Sequence, residues 1–159
     1  MDSNRGKSCS FFGHRVMDIP QGFDDKTAAF IKEKITDGFT VFYFTWDNKF
    51  DVLCFDITLR LKDEYPNIKL VRCFPDEKEL ARNKRYSLKH GFDDCVCFAL
   101  DFNYWYTRLY YRNCALIDAS DFCFFYVERT DDSGAYKAMK HAKKVKKPFV
   151  NLSPNADKI

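Results

Sequence analysis

Short strands rich in aromatic and β-branched residues alternate with charged, amphipathic helices along this chain. The segment 39–44 is almost continuously apolar, whereas Ala28, Ile31 and Ile35 recur at the three- and four-residue spacing of one helical face. Apolar strands separated by helices are typical of a parallel sheet that is buried on both faces and joined by right-handed crossovers. The alternation therefore predicts an α/β fold with a mostly parallel sheet covered by helices on both faces.

Glycine, proline and acidic residues interrupt this pattern and set the predicted element boundaries. Asp37-Gly38 ends the first helix and Pro66 ends the second. With 159 residues the chain suits one domain, 1–159, whose core spans about 7–152. The predicted strands are 7–12, 39–44, 68–74, 94–100, 122–127 and 148–152, and the predicted helices are 24–37, 50–65, 76–90, 104–119 and 133–145.

Composition and charge narrow the class of partner. The 17 phenylalanines and 9 tyrosines indicate a heavily aromatic core. The net charge of +3 is small for this length, so it gives no reason to expect nucleic acid as a partner. Residues 1–7 are mostly polar, and no apolar run approaches the ~18 residues of a membrane span. We therefore expect neither a secretory signal nor a membrane helix, and we expect a cytoplasmic location.

The seven cysteines occur in apolar runs rather than in a spaced ligand or disulfide motif. Cys95 and Cys97 fall on one face of a strand, which suits packing and gives poor geometry for a local disulfide. No paired Cys or His motif of a metal site is present in the sequence. We predict buried, reduced thiols and no metal. The cysteines are at positions 9, 54, 73, 95, 97, 114 and 123.

The first candidate site is Gly13-His14-Arg15, directly after the first predicted strand. A glycine at the end of a parallel strand leaves backbone N–H groups free at the carboxyl edge of the sheet, where such folds hold phosphorylated ligands. The His14 ring supplies a hydrogen bond, and the Arg15 guanidinium pairs well with phosphate. The alternative is that both side chains tie the loop to neighbouring carboxylates.

Two helix starts supply further candidates. Ser133-Gly134 either receives an anion on the helix dipole or, through Ser133 alone, caps the helix. Asp51 heads the second helix, where a carboxylate caps backbone N–H groups or reaches a ribose hydroxyl, and we favour the cap.

Arg112 and Asn113 are secondary candidates. They lie on a predicted helix with Asp118 and Asp121 nearby in the sequence. This pattern favours a structural ion pair over catalysis.

Two further clusters, one aromatic and one of lysines, have more than one possible role. The aromatic cluster packs in the core or, where exposed, forms a stacking platform or self-association surface; it comprises Phe102, Tyr104, Trp105, Tyr106, Tyr110 and Tyr111. The five lysines within 140–147 are interpreted as a solvated helix end whose charges complement the dipole.

Several short motifs occur in a specific order and spacing. They are Phe12-Gly13-His14-Arg15, Phe50-Asp51, Leu59-Arg60-Leu61-Lys62 through Leu70, Arg112-Asn113 through Asp121, and Ser133-Gly134-Ala135-Tyr136 through Lys144. Together, over about residues 7–152, they resemble the YpsA-like branch of the SLOG superfamily. That superfamily also contains LOG phosphoribohydrolases, DprA-type DNA-processing proteins and sensor domains for nucleotide-derived ligands.

The resemblance implies a Rossmann-like three-layer domain. Its ligand pocket would lie between the loop after the second strand and the glycine-containing loop after the fifth. The chain departs from the family at both loops, with 45–49 in place of a Gly-rich stretch and Ser133-Gly134-Ala135 in place of Gly-Gly-Thr. Without those glycines, the side chains of Trp46 and Lys49 are expected to fill or reshape the pocket. Trp46 can also stack on a base, and Lys49 can pair with a phosphate.

These observations predict a binding or sensor protein for a small phosphorylated ligand resembling a nucleotide or ADP-ribose. The alternatives are a phosphoribohydrolase-like enzyme acting on nucleoside monophosphates, and a self-associating interaction protein with a degenerate pocket. We predict no catalytic residue, because the LOG glutamate is missing after Ala135, where Tyr136, Lys137 and Ala138 follow. The predicted ligand-binding residues are Gly13, His14, Arg15, Trp46, Asp51, Arg112, Asn113, Ser133 and Gly134.

Overall fold

The computed structural model describes residues 6–98 and 107–159. The predicted strand end at 99–100 and helix start at 104–106 lie outside the described residues. So do four members of the aromatic cluster, namely Phe102, Tyr104, Trp105 and Tyr106.

Strands and helices alternate along the chain as the sequence predicts. In chain order they are β1 (Lys7–Gly13), α1 (Phe23–Thr36), β2 (Phe39–Phe44), α2 (Lys49–Leu61), β3 (Lys69–Phe74), α3 (Glu77–Lys89), β4 (Asp94–Cys97), α4 (Arg108–Ala119), β5 (Phe122–Tyr126), α5 (Gly134–Lys144) and β6 (Phe149–Asn151), and a short 3-10 turn (Ala156–Lys158) follows β6.

The six strands form one sheet in the order β4-β3-β2-β1-β5-β6, and every described pair is parallel. The chain proceeds outward from β1 to β4, then crosses back to place β5 on the other side of β1. This order confirms the α/β, Rossmann-like three-layer prediction. It also creates a switch point between β1 and β5, where a crevice opens at the carboxyl ends of the strands.

Aromatic residues build the core on both faces of the sheet. Phe11 stacks between Phe44 and Phe124, with ring centroids 4.7 and 4.9 Å away, and this layer packs under α1 and α2. On the opposite face Phe125 and Leu116 belong to a second buried cluster with residues of α4 and α5. Burying each large apolar side chain stabilises the fold by about 1.5–3 kcal/mol, so the two clusters hold the three layers together.

The end of β1 lies unusually close to α2. A Cβ atom at Gly13 would lie 2.3 Å from the Cβ of Phe50, a distance that side chains do not tolerate. Glycine is therefore required here for packing, and the loop that follows β1 is held against the start of α2.

The predicted boundaries differ from the observed ones mainly at α2 and β4. Helix α2 ends at Leu61, because the next residues form turns in which the Tyr65 N–H donates to the Leu61 carbonyl, 2.9 Å away. Strand β4 ends at Cys97, and Phe98 follows without strand pairing.

All seven cysteines are free; five are buried, whereas Cys97 and Cys114 are half-buried, so full burial was wrong for those two. Within 6–98 and 107–159, none of the helices combines the length and apolarity needed to span a membrane.

Candidate ligand-binding site

A cleft of about 320 Å³ opens at the switch point, between the loops that follow β1, β2 and β5 and one face of α4. Its volume is at the small end of the range for small-molecule sites. The residues that line it are Phe12, Gly13, His14, Arg15, Thr45, Asp47, Asn48, Leu109, Arg112, Asn113, Arg129, Ser133, Gly134 and Ala135.

Seven of the nine predicted binding residues line this cleft, although they come from three separate segments. These seven are Gly13, His14, Arg15, Arg112, Asn113, Ser133 and Gly134. Trp46 and Asp51 do not line it. Their side chains lie behind the cleft wall, in contacts that organise the loop between β2 and α2.

Arg112 is the cationic group that the fold positions most firmly. Its side chain is only 6% exposed, and Nη2 donates to Asp47 Oδ2 at 2.7 Å and to Asn113 Oδ1 at 2.9 Å. Nε also donates to Asn113 Oδ1, at 3.2 Å, whereas Nη1 forms no hydrogen bond with the described residues. An ion pair was predicted for Arg112, but its partner is Asp47 rather than Asp118 or Asp121. The guanidinium is thus held on two sides through Nε and Nη2, at a position that lines the cleft.

Asp47 accepts three hydrogen bonds at the cleft wall. Burial alone would raise its pKa, but the Arg112 guanidinium and the hydrogen bonds from Arg112, Thr45 and Asn48 together hold the pKa below its ordinary value. Asp47 is therefore ionised at neutral pH, and the buried charge of Arg112 is compensated.

The first turn of α5 presents backbone N–H groups at the opposite side of the cleft. Ser133 caps the helix, since its hydroxyl accepts from the Tyr136 N–H at 3.2 Å. The N–H groups of Gly134 and Ala135 have no acceptor among the described residues. A Cβ at Gly134 would meet no atom within 4 Å. Asp131 accepts from the Ser133 N–H at 3.0 Å and pairs with Arg129, so its carboxylate is already engaged. The Gly134 and Ala135 N–H groups are left for an anion, which the helix dipole favours.

His14 lies at the base of the cleft with its ring 2% exposed. The backbone N–H of Glu128 donates to Nε2 at 3.0 Å, which assigns the ring hydrogen to Nδ1, a buried atom without a partner among the described residues. Burial and the nearby charge of Arg129 lower the pKa of His14. The neutral ring therefore links the loop after β1 to the loop after β5, and not to a carboxylate as the alternative reading expected.

Two further arginines line the cleft. The Arg15 side chain is exposed and forms no ion pair with the described residues, while its carbonyl accepts from the Lys49 N–H at 3.2 Å. Arg129 pairs with Asp131 at 2.6 Å. Of the charged residues that line the cleft, three are arginines and one is Asp47.

The loop between β2 and α2 is closed by its own side chains. Asn48 caps α2 by accepting from the Asp51 N–H at 2.8 Å. The Asp51 carboxylate in turn accepts from the Thr45 N–H at 2.8 Å and from the Trp46 N–H at 3.0 Å. Asp51 is fully buried, and burial and the neighbouring charge of Asp47 raise its pKa to about 7 against these hydrogen bonds. The predicted capping role thus belongs to Asn48, and Asp51 organises the loop.

Trp46 was expected to fill or reshape the pocket, but it does not line the cleft. Its backbone has a φ of 60°, and its ring packs edge-on against Phe55 and Phe92, with centroids 5.7 and 5.5 Å away. Arg72 lies over the same ring at 5.0 Å. Lys49, the other residue expected to reshape the pocket, is also absent from the lining.

Three polar residues of the cleft lining were not among the predicted binding residues, namely Thr45, Asp47 and Arg129. Thr45 and Asp47 come after β2, and Arg129 comes after β5. Once the strand order is known, polar residues after these strands can be predicted to line the cleft, because ligand sites in such folds lie at the carboxyl ends of the strands. The partnership of Asp47 with Arg112 spans 65 positions and has no local signature.

The assembled groups suit the binding of a small anion. Among the described residues, no group of three or more His, Cys, Asp or Glu side chains could hold a metal ion. No protein-family model matches this chain, and no match was found among curated proteins. The resemblance to the SLOG superfamily therefore stays a prediction, whereas the strand order shows the Rossmann-like architecture.

Proposed function

We propose that this protein binds a small phosphorylated ligand, resembling a nucleotide or ADP-ribose, in the cleft between β1 and β5. The observation that carries the proposal is Arg112, a buried guanidinium with two nitrogens anchored and Nη1 unbonded among the described residues. A charge held in this way loses little conformational entropy on binding and pairs strongly with phosphate oxygens.

The other side of the cleft supports the same ligand class. The N–H groups of Gly134 and Ala135 lie at the positive end of α5, and Arg15 is exposed and unpaired among the described residues. Donors from a helix start together with guanidinium groups are a common arrangement for phosphate.

We also propose the cytoplasm as the location and self-association as an accompanying property. Seven free cysteines are typical of proteins in a reducing compartment. Tyr110 and Tyr111, on α4, are 40% and 48% exposed, which supports a contact surface on that helix.

The test measures thermal unfolding and calorimetric binding with ADP-ribose and AMP. A ligand at ~100 times its dissociation constant should stabilise the native state by about 2.7 kcal/mol. Arg112→Lys keeps the charge beside Asp47 but removes the planar guanidinium, and we expect at least a tenfold loss of affinity.

Arg108→Lys is the matched control. Arg108 lies one turn earlier on α4, pairs with Asp76 at 2.7 Å and does not line the cleft. Its substitution should leave the affinity unchanged. An equal loss in both variants, or no binding by the unaltered protein, would contradict the proposal, and release of free base from AMP would point to the hydrolase alternative.

A further inference from the structure

The hydroxyl of Thr45 lies between two carboxyl groups. Its Oγ1 is 2.8 Å from Asp47 Oδ1 and 2.9 Å from Asp51 Oδ2, and both distances are typical of O–H···O hydrogen bonds. A hydroxyl carries a single hydrogen and can donate only one such bond. If both carboxyl groups were ionised, one of the two short contacts would join lone pairs on both oxygens. A second hydrogen, on one of the carboxyl groups, satisfies both contacts.

The surroundings decide which carboxyl group carries that hydrogen. Asp47 has the Arg112 guanidinium at 2.7 Å and is 36% exposed, so its charge is compensated and hydrated. Asp51 is fully buried, and among the described residues no cationic side chain forms a hydrogen bond with it. Because a buried charge without a partner is costly, the hydrogen belongs to Asp51. The Asp51 O–H then donates a hydrogen bond to Thr45 Oγ1, and the Thr45 O–H donates one to Asp47 Oδ1.

The other titratable groups near Asp51 leave this assignment intact. Arg72, on β3, is the nearby cation, but its guanidinium is held by the Ser87 hydroxyl at 2.9 Å and lies over the ring of Trp46. Within the part of the chain that the structure describes, Asp51 also interacts electrostatically with Asp47 from the same loop, Cys54 from α2 and Cys73 from β3. Burial raises the pKa of both thiols, so they stay neutral.

We propose that Asp51 retains a proton in the folded protein at neutral pH, and that its ionisation weakens anion binding in the cleft. The second half rests on the proposed function. Ionisation would add a negative charge next to Asp47 and so reduce the attraction of the Arg112 region for an anion. By linkage, a bound anion must favour protonation of Asp51 to the same extent.

The test follows the carboxyl carbon of Asp51 by ¹³C NMR and measures dissociation constants for ADP-ribose and for sulfate between pH 6 and 8.5. Neither probe changes its charge in this range. We expect Asp51 to titrate near pH 7, and affinity to fall about fivefold or more as it ionises. In Asp51→Asn the affinity should become nearly independent of pH. Asp56→Asn, an exposed position on the same helix, should retain the pH dependence of the unaltered protein.

Asp47→Asn supplies a second measurement in case Asp51→Asn does not fold. It removes the negative neighbour, so the titration midpoint of Asp51 should move to lower pH. An Asp51 carboxyl already ionised at pH 5, a midpoint unmoved by Asp47→Asn, or the same pH slope in Asp51→Asn would overturn the inference. A midpoint near 7 without binding of either probe would refute the proposed function and the linkage, while confirming the retained proton.

Discussion

The two helices that begin at the cleft satisfy their first backbone N–H groups in different ways. At α2, Asn48 and the Arg15 carbonyl accept from the helix, while Asp51 accepts from the preceding loop. At α5, the Ser133 hydroxyl accepts from the Tyr136 N–H and Asp131 accepts from the Ser133 N–H at 3.0 Å, while the N–H groups of Gly134 and Ala135 have no acceptor among the described residues. Both loops therefore carry a carboxyl group, but Asp51 is buried among the N–H groups of its loop, whereas Asp131 is exposed and pairs with Arg129. Equivalent positions in a repeated β-α fold thus differ in how far the start of the helix is closed by the protein's own groups.

Asp51→Ala should have the largest effect, because it opens the closed loop. The N–H groups of Thr45 and Trp46 would lose their acceptor inside the protein. Each buried donor left unsatisfied costs about 1–3 kcal/mol, so we expect a loss of about 2–6 kcal/mol. Urea unfolding measures it. Asp51→Asn, which keeps one acceptor oxygen, should lose less, and a loss under about 1 kcal/mol in Asp51→Ala would show that the loop does not depend on the carboxyl group.

The same glycine substitution at the two loops should have opposite signs. Gly13→Ala forces a methyl group against Phe50 and should destabilise by about 1–3 kcal/mol. Gly134→Ala places its methyl group in open space at a helix start, so it should be neutral or stabilise by about 0.4–1 kcal/mol. Thermal unfolding of both variants makes the comparison. Equal destabilisation would mean that α5 starts in a more crowded setting than the one described.

Removing the helix caps should have a similar and smaller effect at both sites. Asn48→Ala and Ser133→Ala each lose one side-chain acceptor for a backbone N–H. A cap contributes about 1 kcal/mol, and urea unfolding should show that loss in each variant. Both variants are compared with the unaltered protein without ligand, because a ligand that binds the native state would stabilise either of them. No loss of stability in one variant would show that its helix start does not depend on the capping side chain.

The smallest effect should be a pH dependence from His14, which joins the two loops. Its pKa is lowered in the folded state, whereas in the unfolded chain it titrates near its ordinary value of about 6.5. The unfolded state therefore binds more protons below that pH. The stabilising contribution of the neutral ring is complete above about pH 6.5 and is lost as the pH falls towards the folded pKa.

Urea unfolding at pH 7.5 and 5.5 checks this dependence. His14→Gln keeps an acceptor for the Glu128 N–H without a titrating ring. The unaltered protein should lose more stability between the two pH values than this variant does. Equal losses would show that His14 does not contribute, since the titration of Asp51 is common to both proteins.

Much of the fold was predictable because its signals are local. Strand β2 was predicted with its observed limits, 39–44, since a continuous apolar run between a glycine and a polar loop has only one good interpretation. The end of α2 was less predictable: residues 62–65 keep helical spacing but form turns before Pro66. Local spacing does not distinguish a last helical turn from isolated turns.

The site was predictable only in part. Gly13 ends β1 and Ser133 caps α5, and local sequence signals mark both positions, so both cleft-lining residues were predicted. Asp51 and Trp46 have equally suggestive positions, yet their side chains turn into the β2–α2 loop and its aromatic neighbours. The direction in which the side chain of a loop residue points depends on the elements packed around it. The spacing of residues in the sequence does not specify that direction.

The sequence by itself determined the alternation of strands and helices, the aromatic core and the glycine at the end of the first strand, because periodicity and composition act over a few residues. Only the tertiary structure decided that β1 and β5 are neighbours, that Asp47 compensates Arg112, and that Thr45 lies between two carboxyl groups. The first two relations join residues 65 and more than 100 positions apart, and such contacts are selected by the packing of whole layers rather than by local preference. The contacts of Thr45 span only two and six positions, but they depend on how that packing folds the loop after β2.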